Sequence, residues 1–225
     1  MYNASIDQSN MYKSISEFSE HIEHSFDYFK QNSFISSDIS NEINNILILG
    51  MGGSAITGLL FKEILSNKLD IPISVNKGYT IPKWVNNDTL VIACSYSGNT
   101  EETLTSIEKC KQKTSKIIGF TTGGKLYECI QKFNFNYFLM QKGLQPRAAL
   151  GYSFTLMLLM LNEIGFIDEK TIIGLKNNIN EIVEFSNIFS KNHNENSAFS
   201  IAEKIYDKNP IIYAEDGIFG AIGYR

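Results

Sequence analysis

The stretch ILILGMGGSAITGLLFKEIL, residues 46–65, decides the fold. Its first four residues form a continuous apolar run, which is typical of a strand buried on both faces of a parallel sheet. A glycine-rich turn follows, and the apolar residues from Ala55 to Leu65 recur at helical spacing. Residues 46–65 therefore predict a strand, a tight turn and a helix, which together form half of a β-α-β unit.

The same alternation of strand and helix continues along the chain. Further strands are predicted at 71–75, 89–93, 116–120 and 136–140, and helices at 101–111, around Cys129 and at 148–164. Strands that alternate with helices and lack strict period-two patterning predict a parallel sheet covered on both faces. The expected fold is a three-layer αβα domain with a five-stranded parallel sheet of the flavodoxin-like kind.

Helical segments flank this α/β region. Residues 10–34 carry an apolar stripe at three- and four-residue steps, and residues 168–189 and 198–206 also have helical spacing. Residues 210–214, PIIYA, predict a new strand that begins a second α/β unit. We therefore divide the chain into a helical arm and link at 1–45, an α/β domain at 46–190, and a linker with the start of a second domain at 191–225.

The composition excludes several classes of protein. Of the 225 residues, 43% are hydrophobic, which is enough for a packed core and excludes disorder of the whole chain. A net charge of −4 without a Lys/Arg run argues against a nucleic-acid partner. No signal-peptide pattern, membrane-spanning apolar run or C-x-x-C spacing is present in the sequence. We expect a cytoplasmic protein with reduced cysteines and no membrane partner.

The glycine turn at residues 50–55 fits the loose pattern G-x-G-x-x-G/A of dinucleotide-binding loops. Such sites need an acidic residue at the end of the next strand to bind a ribose, and that stretch here is Val75-Asn76-Lys77-Gly78. The sequence therefore argues against a nicotinamide cofactor, and we expect none. Glycine N–H groups at a helix N-terminus still predict an anion site.

A second loop carries hydroxyl groups at the end of the third strand. Ser95, Ser97 and Thr100 place three hydroxyls within six residues, just before a helix. One such hydroxyl is explained by N-capping of the helix, but three exceed what a cap needs. Because ligands of open α/β sheets sit beyond the carboxyl ends of the strands, the two loops are expected to converge, and we favour phosphate binding over capping.

A third segment, GLQPRAA at 143–149, follows the fifth strand. Arg147 lies where the long apolar helix begins, and a cation gains nothing from the dipole at a helix N-terminus. This mismatch favours a ligand-facing arginine over an ordinary surface residue. His21 and His24, one helical turn apart, have no third ligand nearby, so we expect surface residues and no metal site. His193 is expected to be a solvated linker residue.

These motifs together resemble a known family. GMGGSA at 50–55, SYSGNTEET at 95–103 and GLQPRAALGYSF at 143–154 are similar to segments of the bifunctional phosphoglucose/phosphomannose isomerases, which are built from sugar isomerase (SIS) domains. The resemblance runs from about residue 12 to the end of the chain. It implies that residues 46–190 form a first SIS domain and that residues 191–225 begin a truncated second one.

The resemblance also implies an activity and a site. Such enzymes interconvert glucose 6-phosphate or mannose 6-phosphate with fructose 6-phosphate through a cis-enediol(ate), without metal or nicotinamide. By position, Gly52, Gly53 and Ser54 would line the sugar-phosphate site. Ser95, Ser97 and Thr100 would hold the phosphate, and Arg147 would stabilise the enediolate. The expected base is a glutamate shortly beyond the position of Arg225, so we expect little isomerase activity from the chain alone.

Two other interpretations remain open at this stage. Some SIS domains bind a sugar phosphate without catalysis, and such a module would need no base, although no DNA-binding segment accompanies it here. The third interpretation is structural: SIS folds pair through helices, so the stripe of the first helix or the apolar residues at 210–214 predict a homodimer surface.

Overall fold

A computed structural model describes residues 5–32, 39, 42–190 and 196–225 of the chain. At its centre lies a five-stranded sheet in the order β2-β1-β3-β4-β5, and every neighbouring pair is parallel. The strands are β1 Asn45–Leu49, β2 Ile73–Asn76, β3 Thr89–Ser95, β4 Ile117–Thr121 and β5 Asn136–Leu139. The predicted flavodoxin-like sheet is therefore confirmed, with strand ends within two residues of those expected.

Ten helices surround the sheet in the described part of the chain. They are α1 Met11–Ser16, α2 Phe18–Asn32, α3 Gly52–Leu65, α4 Glu101–Cys110, α5 Gly124–Phe133, α6 Leu150–Glu163, α7 Glu169–Asn177, α8 Ile179–Ser190, α9 Ser197–Ile205 and α10 Ile218–Tyr224. Among these residues no helix is both long and apolar enough to cross a membrane. The fourteen-residue α6 is almost wholly buried and therefore belongs to the protein core.

Two hydrophobic clusters hold the three layers together. Alternate residues of β1 face opposite sides: Ile46 and Ile48 join a cluster with α2, α3 and α6, whereas Leu47 and Leu49 join one with α4 and α5. Burial of such a side chain stabilises the fold by about 1.5–3 kcal/mol. Both faces of the sheet are thus covered, which explains why its strands are apolar without alternation.

Two of the predicted helices are each divided. The helix predicted at 10–34 is interrupted at Glu17, which ends α1 with φ −85° and ψ 14°. The helix predicted at 168–189 is interrupted at Asn178, whose side-chain amide donates to Gly174 O at 2.9 Å and so caps α7. A side chain that bonds to the preceding turn competes with continuation of the helix, and the apolar spacing alone does not reveal this competition.

The strand predicted at 210–214 is absent from the described residues, and that prediction is wrong for this structure. The segment is irregular and does not join the sheet, and Ile211, Ile212 and Tyr213 are 76%, 71% and 90% exposed. A strand exists only when a neighbouring strand satisfies its N–H and C=O groups, and the apolar pattern does not specify that neighbour. The boundaries proposed for the domains at 45/46 and 190/191 stay predictions.

Candidate functional site

The glycine loop connects β1 to α3 at the carboxyl edge of the sheet. Gly52 begins the helix with a φ of +50°, a conformation that glycine adopts without strain. Met51 precedes it at the N-cap position, and within the described residues no side-chain hydrogen bond caps this end of α3. The first N–H groups of the helix therefore remain suited to a negatively charged ligand.

Ser54 is the third residue predicted to line the sugar-phosphate site, and it is buried in the first turn of α3, next to β3. Its side chain forms a hydrogen bond with Cys94, and only 8% of Ser54 is exposed. Burial raises the pKa of Cys94 to about 11, while the bond to Ser54 acts in the opposite direction. The side chain of Ser54 thus fixes α3 against the sheet.

The hydroxyl loop follows β3, and its three predicted residues lie together. Ser95 Oγ and Thr100 Oγ1 are 2.9 Å apart, and Ser95 Oγ also accepts from Gly98 N at 3.1 Å. Ser97 is exposed, and its Oγ accepts from Asn99 N at 3.2 Å. Thr100 is the N-cap residue of α4 but, of the described hydrogen bonds, none runs from its side chain to the helix. N-capping therefore does not account for the Thr100 hydroxyl.

The hydroxyl loop is fixed against the turn that precedes α5. Gly98 has a φ of +70°, and a Cβ atom there would lie 1.8 Å from Gly123 O. Its carbonyl accepts from Leu126 N at 2.8 Å, and Asn99 Oδ1 accepts from Lys125 N at 3.2 Å. Because only glycine permits this approach, the loop has a defined shape before any ligand binds.

The third segment contacts both loops, as predicted from its place after β5. A Cβ atom on Gly53 would lie 2.8 Å from Pro146 O and 3.1 Å from the Cα of Arg147. The Tyr96 hydroxyl donates to Gln141 O at 2.7 Å and accepts from Leu144 N at 2.8 Å. The structure thus brings the carboxyl ends of β1, β3 and β5 together. The strand order reverses between β1 and β3, which is where ligands bind in open α/β sheets.

Arg147 lies just before α6, at the helix start where the sequence places it, and its ligand-facing role stays a prediction. Its side chain is exposed and forms no ion pair with any described carboxylate. Arg225 lies near Arg147, a proximity that the sequence did not predict. Partial desolvation lowers the pKa of Arg225, and the positive charge of Arg147 lowers it further. The Arg225 guanidinium also lies 5.9 Å from the ring centroid of Phe18. Two cations without a described carboxylate partner favour a negatively charged ligand at this edge.

The two histidines of α2 differ in environment. His21 is buried, which makes the expectation of a surface residue wrong, because it lies on the stripe of α2 that packs against α6 and stacks on Tyr152. Burial lowers the pKa of His21. His24 is exposed and its Nδ1 lies 3.1 Å from the Tyr152 hydroxyl. The described residues contain no cluster of metal ligands, and His193 lies outside them.

Comparison with known proteins decides the family. The model of the SIS domain matches residues 39–163, more than half of the chain. The chain belongs to the SIS domain family. Its α/β core is thus a SIS domain, and the three loops described above all lie within the matched region.

Two relatives and one solved structure extend this result. The chain is 38% identical to a bifunctional phosphoglucose/phosphomannose isomerase of Caldicellulosiruptor bescii over 222 residues, which cover 96% of the chain and 63% of that relative. It is 35% identical to the enzyme of the same name from Thermoplasma volcanium, over 81% of the chain and 54% of that relative. The chain thus spans less than two thirds of the length of both.

The fold of this SIS domain also occurs in a solved structure. The C-terminal domain of glucosamine-fructose-6-phosphate aminotransferase from Francisella tularensis is similar with a TM-score of 0.65 at 18% identity, over 99% of the chain and 66% of that structure. At this identity the similarity supports the fold and nothing further. The resemblance drawn from the three motifs is therefore confirmed by the relatives, and the flavodoxin-like architecture by the structure.

Proposed function

We propose that this SIS domain binds the phosphate and the reacting end of a sugar 6-phosphate in an aldose–ketose isomerase. The reaction is the interconversion of glucose 6-phosphate or mannose 6-phosphate with fructose 6-phosphate through a cis-enediol(ate). The observation that carries the proposal is the convergence of the glycine loop, the hydroxyl loop and Arg147 at one edge of the sheet, in a chain similar to isomerases of that specificity.

The hydroxyl loop is the part that suits a phosphate. Ser97 is exposed and Thr100 is half-buried, while the buried Ser95 holds Thr100 in place through the 2.9 Å contact between their hydroxyls. Gly52 and Gly53 lie at the neighbouring N-terminus of α3, where N–H groups supply further donors, and Ser54 holds that helix on the sheet. Hydrogen bonds from such groups to a charged phosphate are worth about 1.5–3 kcal/mol each.

Arg147 suits the other requirement of the reaction. Removal of the proton at C2 places negative charge on the oxygens at C1 and C2, and a cation positioned there lowers the barrier. The contact of Gly53 with the backbone of Pro146 and Arg147 keeps the arginine beside the glycine loop. Proton abstraction also needs a base, a role that we assign to no described residue.

A binding experiment on the 225-residue chain tests the phosphate site. We expect fructose 6-phosphate to raise the melting temperature and fructose to leave it unchanged, since binding to the native state alone stabilises it. Ser97→Ala should weaken fructose 6-phosphate binding by about tenfold or more. Ser115→Ala is the matched control, because Ser115 is also exposed but lies before β4, at the opposite edge of the sheet. If the unmodified chain, Ser97→Ala and Ser115→Ala bind fructose 6-phosphate with equal affinity, the proposed phosphate site is rejected.

An isomerase assay separates the two functions that share this site. Production of fructose 6-phosphate from glucose 6-phosphate or mannose 6-phosphate, abolished by Arg147→Ala, would support the isomerase. Binding of fructose 6-phosphate without conversion in a protein that spans the full length of the relatives would favour a non-catalytic sugar-phosphate-binding module.

We propose in addition that the chain forms a homodimer. Support comes from apolar side chains left exposed on α8, where Phe185 and Phe189 are 50% and 46% exposed, and on α1, where Ile15 is 54% exposed. Clusters of this kind on a soluble domain are typical of association surfaces. Light scattering after size exclusion tests the dimer, and a single species of 25.4 kDa at micromolar concentration would contradict it.

A further inference from the structure

Tyr96 lies between the two serines of the hydroxyl loop, yet its side chain belongs to another part of the site. The ring is buried, with 8% exposed, in the cluster that includes Met140 and α6. Its hydroxyl donates to Gln141 O at 2.7 Å and accepts from Leu144 N at 2.8 Å. Both partners belong to the segment that leads from β5 to Arg147.

The backbone of Tyr96 is fixed as firmly as its side chain. Its carbonyl accepts two hydrogen bonds from Thr122, one from the backbone N at 3.0 Å and one from Oγ1 at 2.8 Å. Burial raises the pKa of Tyr96, so the phenol stays protonated and able to donate, although the Leu144 N–H opposes this shift. Tyr96 therefore connects the hydroxyl loop rigidly to residues 141–144.

The segment from Gln141 to Arg147 contacts the rest of the site at several points, and Leu144 also packs against the hydrophobic cluster that contains Tyr96. It lies between the end of β5 and the start of α6, without regular structure, and Gly143 in its middle has a φ of +99°. Its far end touches Gly53, and the side chain of Gln141 accepts a hydrogen bond from the Tyr152 hydroxyl. Near its start, the described hydrogen bonds that join the segment to the hydroxyl loop are the two of the Tyr96 hydroxyl.

We propose that Tyr96 is a positioning residue that holds the segment 141–147, and through it the Arg147 guanidinium, at a fixed place relative to the hydroxyl loop. This inference rests on the proposed function, because it assigns Tyr96 to the alignment of the same sugar phosphate. The phosphate itself is bound by the serine and threonine hydroxyls, so the loss of the Tyr96 hydroxyl affects the sugar end of the ligand and spares the phosphate end.

Two ligands distinguish the ends of the site in calorimetric titrations of the chain. Inorganic phosphate probes the hydroxyl loop alone. Arabinonate 5-phosphate, a five-carbon sugar acid, carries in addition a carboxylate where the enediolate charge would form. Tyr96→Phe keeps the ring and removes the hydroxyl. We expect Tyr96→Phe to lower the affinity for arabinonate 5-phosphate about tenfold, which corresponds to the loss of one positioned contact with a charged group. The affinity for inorganic phosphate should fall less than about twofold.

A double-mutant cycle tests whether Tyr96 acts through Arg147. Arg147→Ala alone should lower the affinity for arabinonate 5-phosphate. Adding Tyr96→Phe to that variant should lower the affinity less than about twofold further, because the arginine that Tyr96 positions is no longer present. Tyr213→Phe is the matched control, since that tyrosine is 90% exposed, and it should change neither affinity. If Tyr96→Phe does not fold by circular dichroism, Tyr152→Phe, which releases the side chain of Gln141, replaces it and should weaken the same ligand.

The outcomes separate this inference from the function on which it rests. Equal losses for both ligands, no loss for either, or additive effects of Tyr96→Phe and Arg147→Ala would each overturn the positioning role while leaving the phosphate site intact. An unmodified chain that binds neither ligand, or that has no preference for arabinonate 5-phosphate over phosphate, would overturn the proposed function and this inference with it.

Discussion

Gly98→Ala is the substitution for which the structure predicts the largest local effect. The glycine adopts a φ of +70°, and a left-handed backbone costs alanine roughly 1–2 kcal/mol. The added Cβ would also lie 1.8 Å from Gly123 O and 2.8 Å from Thr121 Oγ1. Because Gly123 O is a backbone atom, the loop itself must move, and such overpacking costs about 1–3 kcal/mol more.

The two contributions together lower the free energy of unfolding by about 2–5 kcal/mol. Urea denaturation followed by far-ultraviolet circular dichroism measures this change. Gly78→Ala serves as the control, because a Cβ on Gly78 would meet nothing within 4 Å, and we expect a change below about 0.5 kcal/mol. A Gly98→Ala chain within about 0.5 kcal/mol of the unmodified protein would refute the tight contact between the hydroxyl loop and the β4–α5 turn.

The remaining predictions concern the other contacts of the site and core. In Gly53→Ala the new Cβ would lie 2.8 Å from Pro146 O, so the free energy of unfolding should fall by about 1–3 kcal/mol. The affinity for fructose 6-phosphate should also fall in titrations, and an unchanged affinity would contradict the packing of the glycine loop against the segment of Arg147. Thr57→Val removes a buried 2.8 Å contact with Ser153 and should cost about 1 kcal/mol in urea, and full additivity with Ser153→Ala would show that the pair is uncoupled. Because burial raises the pKa of Cys94 from 9.0 to about 11, the folded state keeps the thiol that the unfolded state ionises. The contribution of Cys94 to stability should therefore be constant below about pH 8 and fall from about pH 9 towards pH 11. In urea titrations Cys94→Ala should reduce the alkaline fall in stability, and the same slope in both proteins would exclude this thiol as a cause.

The central fold was predictable because its signals are local. Each buried strand is a short apolar run, and each helix beside it has its own spacing, so β1 and α3 can be identified without knowledge of their neighbours. The same reasoning failed at 210–214, where the apolar run is equally clear. Strand formation there depends on a partner elsewhere in the chain, and the pattern of a single segment does not carry that information.

The candidate site divides in the same way. The convergence of the glycine loop with Arg147 followed from the rule that parallel strands end at one edge of the sheet. The role of Tyr96 did not follow, because its partners Gln141 and Leu144 lie 45 and 48 positions further along the chain. The proximity of Arg225 to Arg147 has the same long-range origin, and no motif in the sequence signals it.

The charges around the hydroxyl loop explain why its shape matters more than its electrostatic field. Glu101 and Glu102 occupy the first turn of α4, where they already interact favourably with the dipole that would otherwise attract a phosphate. A dianion bound there must therefore be compensated by hydrogen bonds from a loop that needs no rearrangement. The contact of Gly98 with Gly123 provides that rigidity, and Tyr96 transmits it to the segment of Arg147. An acidic protein with a net charge of −4 can bind a phosphate ester in this way, because the donors are fixed before the ligand arrives.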